Sequence, residues 1–557
     1  MATFAISDLY TPTILTLLVA IIYQYIIYPT LLSPLTKIPN AHWSCSISPA
    51  WILWTRFKSR ENRTLHTAHE QHGPIVRIGP NELSVNSIEG VKTIYQGGFD
   101  KHQWYSVFNN FGVPCTFSSL GAKHHSLRKR MVSYVYSKSH IQTSRALARQ
   151  AGIHLNAHLL PVLRSSARGT RRQPPPPHGV DVDVDVHSLF CGAAMDFVSA
   201  YCFGAARGAD FVRRKGYRDH WLALYATRKG HGFFAQELPV LSKCLRAVGI
   251  NLTPSWVDAA NRELEAWCKE RSDATIAFLE EDAASTGPGK ECSTTDTADE
   301  PVVVKALLAG IAREAEANGA ESLLYSTAIR QRELTVASEI FDHVLAGQET
   351  TGVALTYMSY HLSRSLDLQR ELRQELLSLQ PNMKIGENGE AAMPDSRQLD
   401  SLRVLHAVVM ETIRRYSPAG GPEPRVTPKH VTSRIGPYEV PGGVRVSAST
   451  YNLHRDAAAF PDPETWDHTR WLHPHNGNSN EKDENDINRH FWGFSSGGRM
   501  CLGSNFAMHD MKLIIAAIYT NYTSHIVNDE GIEPTDAYTG HPKSNSLYLR
   551  YERVVED

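Results

Sequence analysis

The charge of this 557-residue chain favours neither sign: Lys and Arg number 57, Asp and Glu 58, and the formal net charge is -1. No basic repeat and no zinc-like cysteine spacing is present, so nothing supports a nucleic-acid partner. The 8 cysteines, at Cys45, Cys115, Cys191, Cys202, Cys244, Cys268, Cys292 and Cys501, are scattered without close pairing. That excludes a disulfide scaffold and fits free thiols in a reducing compartment. There is no flavin or glycine-rich dinucleotide fingerprint, so the chain carries no electron source of its own. Length alone suggests roughly three or four domains. The polar stretches Gly169 to His178 (with Pro174 to Pro177), Ala283 to Glu300 and His473 to His490 are too short and too weakly charged to divide it, which leaves one catalytic domain.

Charge is absent altogether from Leu9 to Thr36, and Ile14 to Ile22 is strongly apolar. About 20 such residues cross a bilayer as a helix. A cleaved signal needs a basic start and small residues at the cut; Met1 to Asp8 has no Lys or Arg, and Tyr23, Tyr25 and Tyr28 follow the apolar centre. A retained anchor is expected over residues 1–33. Lys37, Arg56, Lys58 and Arg60 follow it, so the positive-inside rule puts the bulk of the chain in the cytosol, in a eukaryote at the endoplasmic reticulum surface. Pro29, Pro34, Pro39 and Pro49 are expected to end the helix and stiffen a hinge at 34–50, ahead of a globular part over 51–557. Gly73 to Pro80 reads as a strand between turns, Tyr438 to Ser447 as a hairpin around Pro441-Gly442-Gly443, and Met195 to Gly204 as a core helix closed by glycine.

Chemistry concentrates between Phe494 and Gly503. Gly497 and Gly498 allow positive φ and close approach to a flat ligand. Arg499 offers a fixed charge that can meet an anion and favour the thiolate of Cys501. A helix beginning past Gly503 would aim its positive end at the sulfur. A lone cysteine is ordinarily a small buried hydrophobe, but the flanking pattern, Phe494-x-x-Gly497-x-Arg499-x-Cys501-x-Gly503, resembles the haem loop of the cytochrome P-450 family. By that resemblance Cys501 is the axial ligand of haem iron, which favours O–O cleavage.

Four further stretches extend the likeness. Leu334 to Ser363 reads as one long helix interrupted in propensity at Ala346-Gly347-Gln348-Glu349-Thr350-Thr351-Gly352, where glycine and threonine weaken the ladder. It resembles the oxygen-binding groove of the family, in which Ala346 and Gly347 leave room for O₂ and substrate, Thr350 hydrogen-bonds the bound oxygen and Glu349 relays protons. Glu411-Thr412-Ile413-Arg414 puts opposite charges on one helix face; the family places this pair in a buried network with a later arginine, here Arg470. The helix around His124 to Met131 would ordinarily be a solvated basic face. The resemblance assigns His125 and Lys129 to a haem propionate, with Arg128 or Arg130 as alternatives to Lys129, and gives Arg425 the same partner. The segment Pro34 to Pro39 resembles the family's proline-rich hinge, although Asn40-Ala41 replaces its Gly-Pro.

The resemblance implies a mainly α fold with small β-sheets behind a single transmembrane helix, and haem b as cofactor. It also implies monooxygenation of an apolar small molecule, by hydroxylation or epoxidation, with O₂ and electrons from an NADPH-cytochrome reductase, cytochrome b5 being a second candidate donor. The pocket would draw on Gln103 to Phe117, Phe233 to Leu238, Ala346, Ala419 to Pro422 and Gly540 to Ser546, which suits terpenoid, polyketide or alkaloid scaffolds alike and points to fungal secondary metabolism. Two rivals are a peroxide-using isomerase or dehydratase, disfavoured by Glu349 and Thr350, and a non-catalytic membrane protein that binds haem or sterol, disfavoured because binding alone needs no proton relay.

Overall fold

The computed structural model describes residues 4–167, 183–286, 296–472 and 487–554. Pro174 to Pro177 and most of the polar stretches at 287–295 and 473–486 lie outside them. The first helix, α1, spans Phe4–Ile22. It continues in a wider π-type turn through Tyr23–Leu32, so Pro29 lies inside the helical rod and does not end it. Leu15, Leu17, Val19 and Leu31 present an exposed apolar surface, compatible with a bilayer. The expected hinge is not a free linker. Leu35 and Ile38 are buried against Ile75, Leu83 and Val446, and Arg77 clasps the segment through the carbonyls of Pro29 and Pro39.

Helix α2 spans Ala122–Val132. Helix α3, Val186–Phe203, is apolar on every face and almost wholly buried, which identifies it as a core helix despite its membrane-like length. Gly204 closes it at φ +86, its N–H returning to the Ala200 carbonyl. Helix α4 spans Lys215–Gly230, and α5 runs unbroken from Arg332 to Ser363. The weak helix formers around Gly347 therefore do not interrupt α5. A Cβ on Gly352 would stand 2.6 Å from the Cys191 sulfur, and one on Gly347 would stand 3.0 Å from Val198. Both glycines serve the close crossing of α5 on α3. Helices α6, Arg403–Arg415, and α7, Ser504–Asn521, complete the core, with Leu405, Val409, Leu513 and Ile514 buried in one cluster.

The sheets are small. Five strands lie in the order Ile75–Gly79, Glu82–Val85, Arg445–Ser447, Arg425–Val426 and Asp100–Lys101. The expected hairpin within Tyr438 to Ser447 is replaced by two pairings. Tyr438–Val440 pairs antiparallel with Ser433–Ile435 around Gly436, at φ +56. Arg445–Ser447 runs parallel to Glu82–Val85. Alternation has the same period in either arrangement, and a left-handed glycine at Gly436 supplies the tight turn.

Candidate functional site

The loop before α7 is wound by its own backbone. Cys501 donates its N–H to the Phe494 carbonyl at 2.9 Å, and Met500 to that of Gly497 at 3.1 Å. Gly497 sits at φ +72, and a Cβ there would stand 2.3 Å from the Tyr95 carbonyl. Glycine is thus required at Gly497 by the chain itself. Gly498 has no positive φ, and open space faces it and Gly503.

Cys501 is exposed on the loop. Burial raises its thiol; the Gly503 backbone N–H and the Lys129 ammonium pull it back down. The cation acting on the sulfur is therefore Lys129, and not the expected Arg499. Lys129 donates to the carbonyls of Gly498 at 3.0 Å and Met500 at 3.1 Å, so it clamps the thiolate loop. Arg128 turns to the Thr327 hydroxyl, and Arg130 to the Ser126 carbonyl of its own helix.

Arg499 spans to the Ser119 and Leu120 carbonyls. Around it converge Arg425, His125 and Lys101, the last unmarked by any motif. Lys101 is buried, bonded to the Phe117 carbonyl and held between the Tyr105 and Phe117 rings at 4.2 and 4.0 Å. Arg425 donates to the Tyr105 hydroxyl at 2.9 Å and to Glu423 at 3.1 Å. Burial and the neighbouring arginines push Lys101 well below the usual lysine range. Burial, then Arg499, Lys101 and Lys129, take His125 down to about 3, and burial with Arg425 takes Arg499 down to about 10. Arg425, Arg499 and Lys101 discourage one another's charge and His125 stays neutral, with Glu423 and Asp342 among the opposing charges in range. A ligand bearing two carboxylates beside a thiolate-bound metal meets the requirement, so the residues present fit haem.

On α5, Ala346 is exposed although it lies mid-way along the helix. Asp342, one turn earlier, is pushed up to about 6 by burial, and its charge in turn raises the Cys501 thiol. Thr350 shares the face of Ala346; its hydroxyl donates to the Ala346 carbonyl at 2.7 Å. Gly347 turns toward Val198, so its small size serves packing where room for O₂ was expected. Glu349 is held by three donors: Lys229 on α4, Tyr225 at 2.8 Å and Thr539 at 3.2 Å. Burial would raise its carboxyl, but Lys229 and Tyr225 hold it below the usual range.

Beneath the site, Glu411 and Arg414 are fully buried and doubly bonded, at 2.7 and 2.9 Å. Arg470 approaches Glu411 at 3.5 Å but hydrogen-bonds the Asp462 carbonyl. The Trp471 indole and the Asp467 backbone N–H make the remaining bonds to Glu411, at 3.0 and 2.9 Å.

The family profile described as Cytochrome P450 matches residues 47–548. This chain belongs to the cytochrome P450 family. Similar proteins include the N-acetyltryptophan 6-hydroxylase ivoC of Emericella nidulans, 25% identical over 93% of this chain and 92% of its own length. Another is the cytochrome P450 monooxygenase aflV of Aspergillus parasiticus, 28% identical over 87% and 84%. A third, the cytochrome P450 monooxygenase ucsK of an Acremonium species, is 24% identical over 81% and 79%. The P450 is accordingly an oxidoreductase of the monooxygenase class with haem b as cofactor, acting on a small molecule with O₂ and a redox partner.

Proposed function

We propose that this P450 hydroxylates or epoxidises an apolar small molecule in fungal secondary-metabolite biosynthesis. Residues 1–33 anchor it in the endoplasmic reticulum membrane, 34–50 lead into the domain, and 51–557 form the catalytic body in the cytosol. An NADPH-cytochrome reductase, with cytochrome b5 as a second donor, supplies electrons. The observation that carries this reading is the exposed Cys501 on a loop wound by its own backbone and clamped by Lys129, with Arg499 and the buried Arg425 and Lys101 gathered beside it. The name of the relative from Emericella nidulans, a 6-hydroxylase, supports hydroxylation.

Haem b, when bound, supplies O₂ activation and delivery of one oxygen atom to the substrate. Cys501 would be the iron ligand, Phe494, Gly497 and Gly503 shape its loop, and Lys129 steadies the loop's carbonyls. Arg425, Arg499 and Lys101, with the His125 imidazole as a neutral hydrogen-bond donor, are the groups available to the haem carboxylates. Thr350 and Glu349 are the proton carriers, with Glu349 in reserve until its Lys229 contact opens. Trp104, in ring contact with both Phe108 and Tyr538, offers with them an apolar wall, in keeping with an apolar substrate.

The test is expression with a reductase, NADPH and candidate terpenoid, polyketide and alkaloid substrates. Oxygenated product dependent on NADPH is expected, together with a thiolate-type reduced carbon-monoxide spectrum that Cys501→Ser abolishes. Product formed from a peroxide with no need for NADPH, or an unchanged spectrum in the serine variant, overturns the reading.

A further inference from the structure

Away from the Cys501 loop, on the far side of α3, two histidines and two aspartates meet in the interior. His154 and His158 lie four residues apart on a π-helical turn, His154–Leu159, a widened form of helix common at functional sites. Their Nδ1 atoms are 3.3 Å apart. Asp196, from the middle of α3, brings Oδ2 to 3.9 Å from the His158 Nδ1, and Asp210 brings Oδ1 to 3.7 Å from the same nitrogen. His154, His158 and Asp196 are 2%, 7% and 0% exposed, so the cluster is a built feature of the core and not a surface coincidence.

We propose that His154, His158 and Asp196, with Asp210 as fourth donor, bind one divalent cation of the zinc class. Two ligands at the roughly 2.0–2.1 Å of a zinc–imidazole bond, at a tetrahedral angle, stand about 3.3–3.4 Å apart, the separation of the two imidazole nitrogens. The donor atoms of His154, His158 and Asp196 lie within 4.8 Å of one another; measured from the His158 nitrogen alone, Asp196 Oδ2 and Asp210 Oδ1 need to close by about half an ångström to match that spacing. Imidazole nitrogen with carboxylate oxygen is a donor set suited to zinc and its neighbours and poorly suited to calcium, which prefers oxygen alone.

The surroundings support ligation over a simple histidine pair. Asp196 is oriented by the backbone N–H groups of Phe211 at 2.7 Å and Val212 at 3.0 Å, and Asp210 by a two-pronged contact with Arg213. Hydrogen bonds that orient ligating carboxylates in this way are characteristic of metal centres. Asp210 is partly exposed, at 29% of its side chain, and gives the ion a path in. The ion would tie the 154–159 turn, α3 and the 205–212 segment together, a structural role independent of the haem.

The experiment uses the full-length haem-loaded protein, incubated with zinc and dialysed against a weak chelator. Elemental analysis should give close to one zinc per chain, and zinc-edge X-ray absorption should show imidazole and carboxylate ligands without sulfur. His158→Gln should reduce zinc at least tenfold while leaving the reduced carbon-monoxide spectrum unchanged, and added zinc should raise the thermal midpoint of the unmodified protein only. Zinc below a tenth of an equivalent in the unmodified protein, equal retention by His158→Gln, or sulfur in the first coordination shell each overturns the site. Should His158→Gln fail to fold, Asp210→Asn and the ligand set of the unmodified protein decide the matter.

Discussion

Lys229 of α4 and Glu349 of α5 form an ion pair that joins the two helices. The pair ties the proposed proton carrier to α4, so on that proposal release of Glu349 requires Lys229 to move away. Replacing Lys229 by Met leaves burial, which raises the carboxyl, opposed chiefly by the Tyr225 hydroxyl. The acid limb of the turnover–pH profile should move up by about 1–3 units, while Lys229→Arg should leave it near its original place. The stability effect has a definite sign. A carboxylate held below its unfolded pKa contributes above that value and loses its contribution as pH falls through the folded one. The deficit of Lys229→Met, roughly 1–3 kcal/mol, should therefore be full at neutral pH and fade in acid, as denaturant titrations at several pH values will read.

Lys129 should govern how readily Cys501 stays ionised. Its ammonium lowers the thiol and holds the carbonyls of Gly498 and Met500. In Lys129→Met the conversion of the reduced carbon-monoxide form from thiolate to thiol should occur at a higher pH than in the unmodified protein. Lys129→Arg should recover part of the difference. Equal titration curves for all three forms would show that the clamp has no electrostatic effect on the sulfur.

Gly497 and Gly498, adjacent in sequence, should respond in opposite ways. Alanine at Gly497 must occupy a left-handed backbone and meet the Tyr95 carbonyl, whereas at Gly498 it meets no protein atom within 4 Å. Gly497→Ala should lower the yield of haem-loaded protein severely, and Gly498→Ala should keep its unfolding free energy within about 0.5 kcal/mol of the unmodified protein.

What could be read in advance follows the range of the interactions. The thiolate loop, α5 and the Glu411–Arg414 pair are local in sequence, because a tight loop or a helix face fixes residue types at fixed spacing. Lys129 could be placed near the site as the residue one helical turn after His125, though not told apart from Arg128 and Arg130 until the phase of α2 was known. Lys229 was not legible, since it meets Glu349 across 120 residues of chain. Lys101, Tyr225, Asp342 and Thr539 share that character: each is an ordinary residue made special by what folds against it. The glycines of α5 show the converse, as their composition was plain but the α3 crossing they serve was not.

Removal of the anchor should separate two functions of the N-terminal region. Deleting residues 1–33 takes away the apolar rod and leaves Leu35 and Ile38 in the sheet cluster, so the remainder should fold with less membrane association. Deleting residues 1–40 also removes those two side chains, whose burial is worth about 3–6 kcal/mol together. Urea midpoints of the two truncations should differ accordingly; identical midpoints would mean that the 34–40 segment contributes little to the sheet.

Glu411 offers the sharpest stability test, because every acceptor position on its carboxylate is used. Arg414 supplies two donors, Trp471 one and the Asp467 backbone another, while Arg414 also holds the carbonyls of His454, Pro463 and Thr465. Replacing Arg414 by Met strands a fully buried charge and frees three carbonyls, so the loss should reach about 3–5 kcal/mol and little haem protein should be recovered. Trp471→Phe removes a single hydrogen bond to the same carboxylate and should cost about 1.5–3 kcal/mol. Arg470→Met, which loses a 3.5 Å ion pair and one carbonyl contact, should cost less than Trp471→Phe. Chemical denaturation of the three variants gives the order directly, and a larger loss for Arg470→Met than for Trp471→Phe would restore the arginine as the principal partner of Glu411.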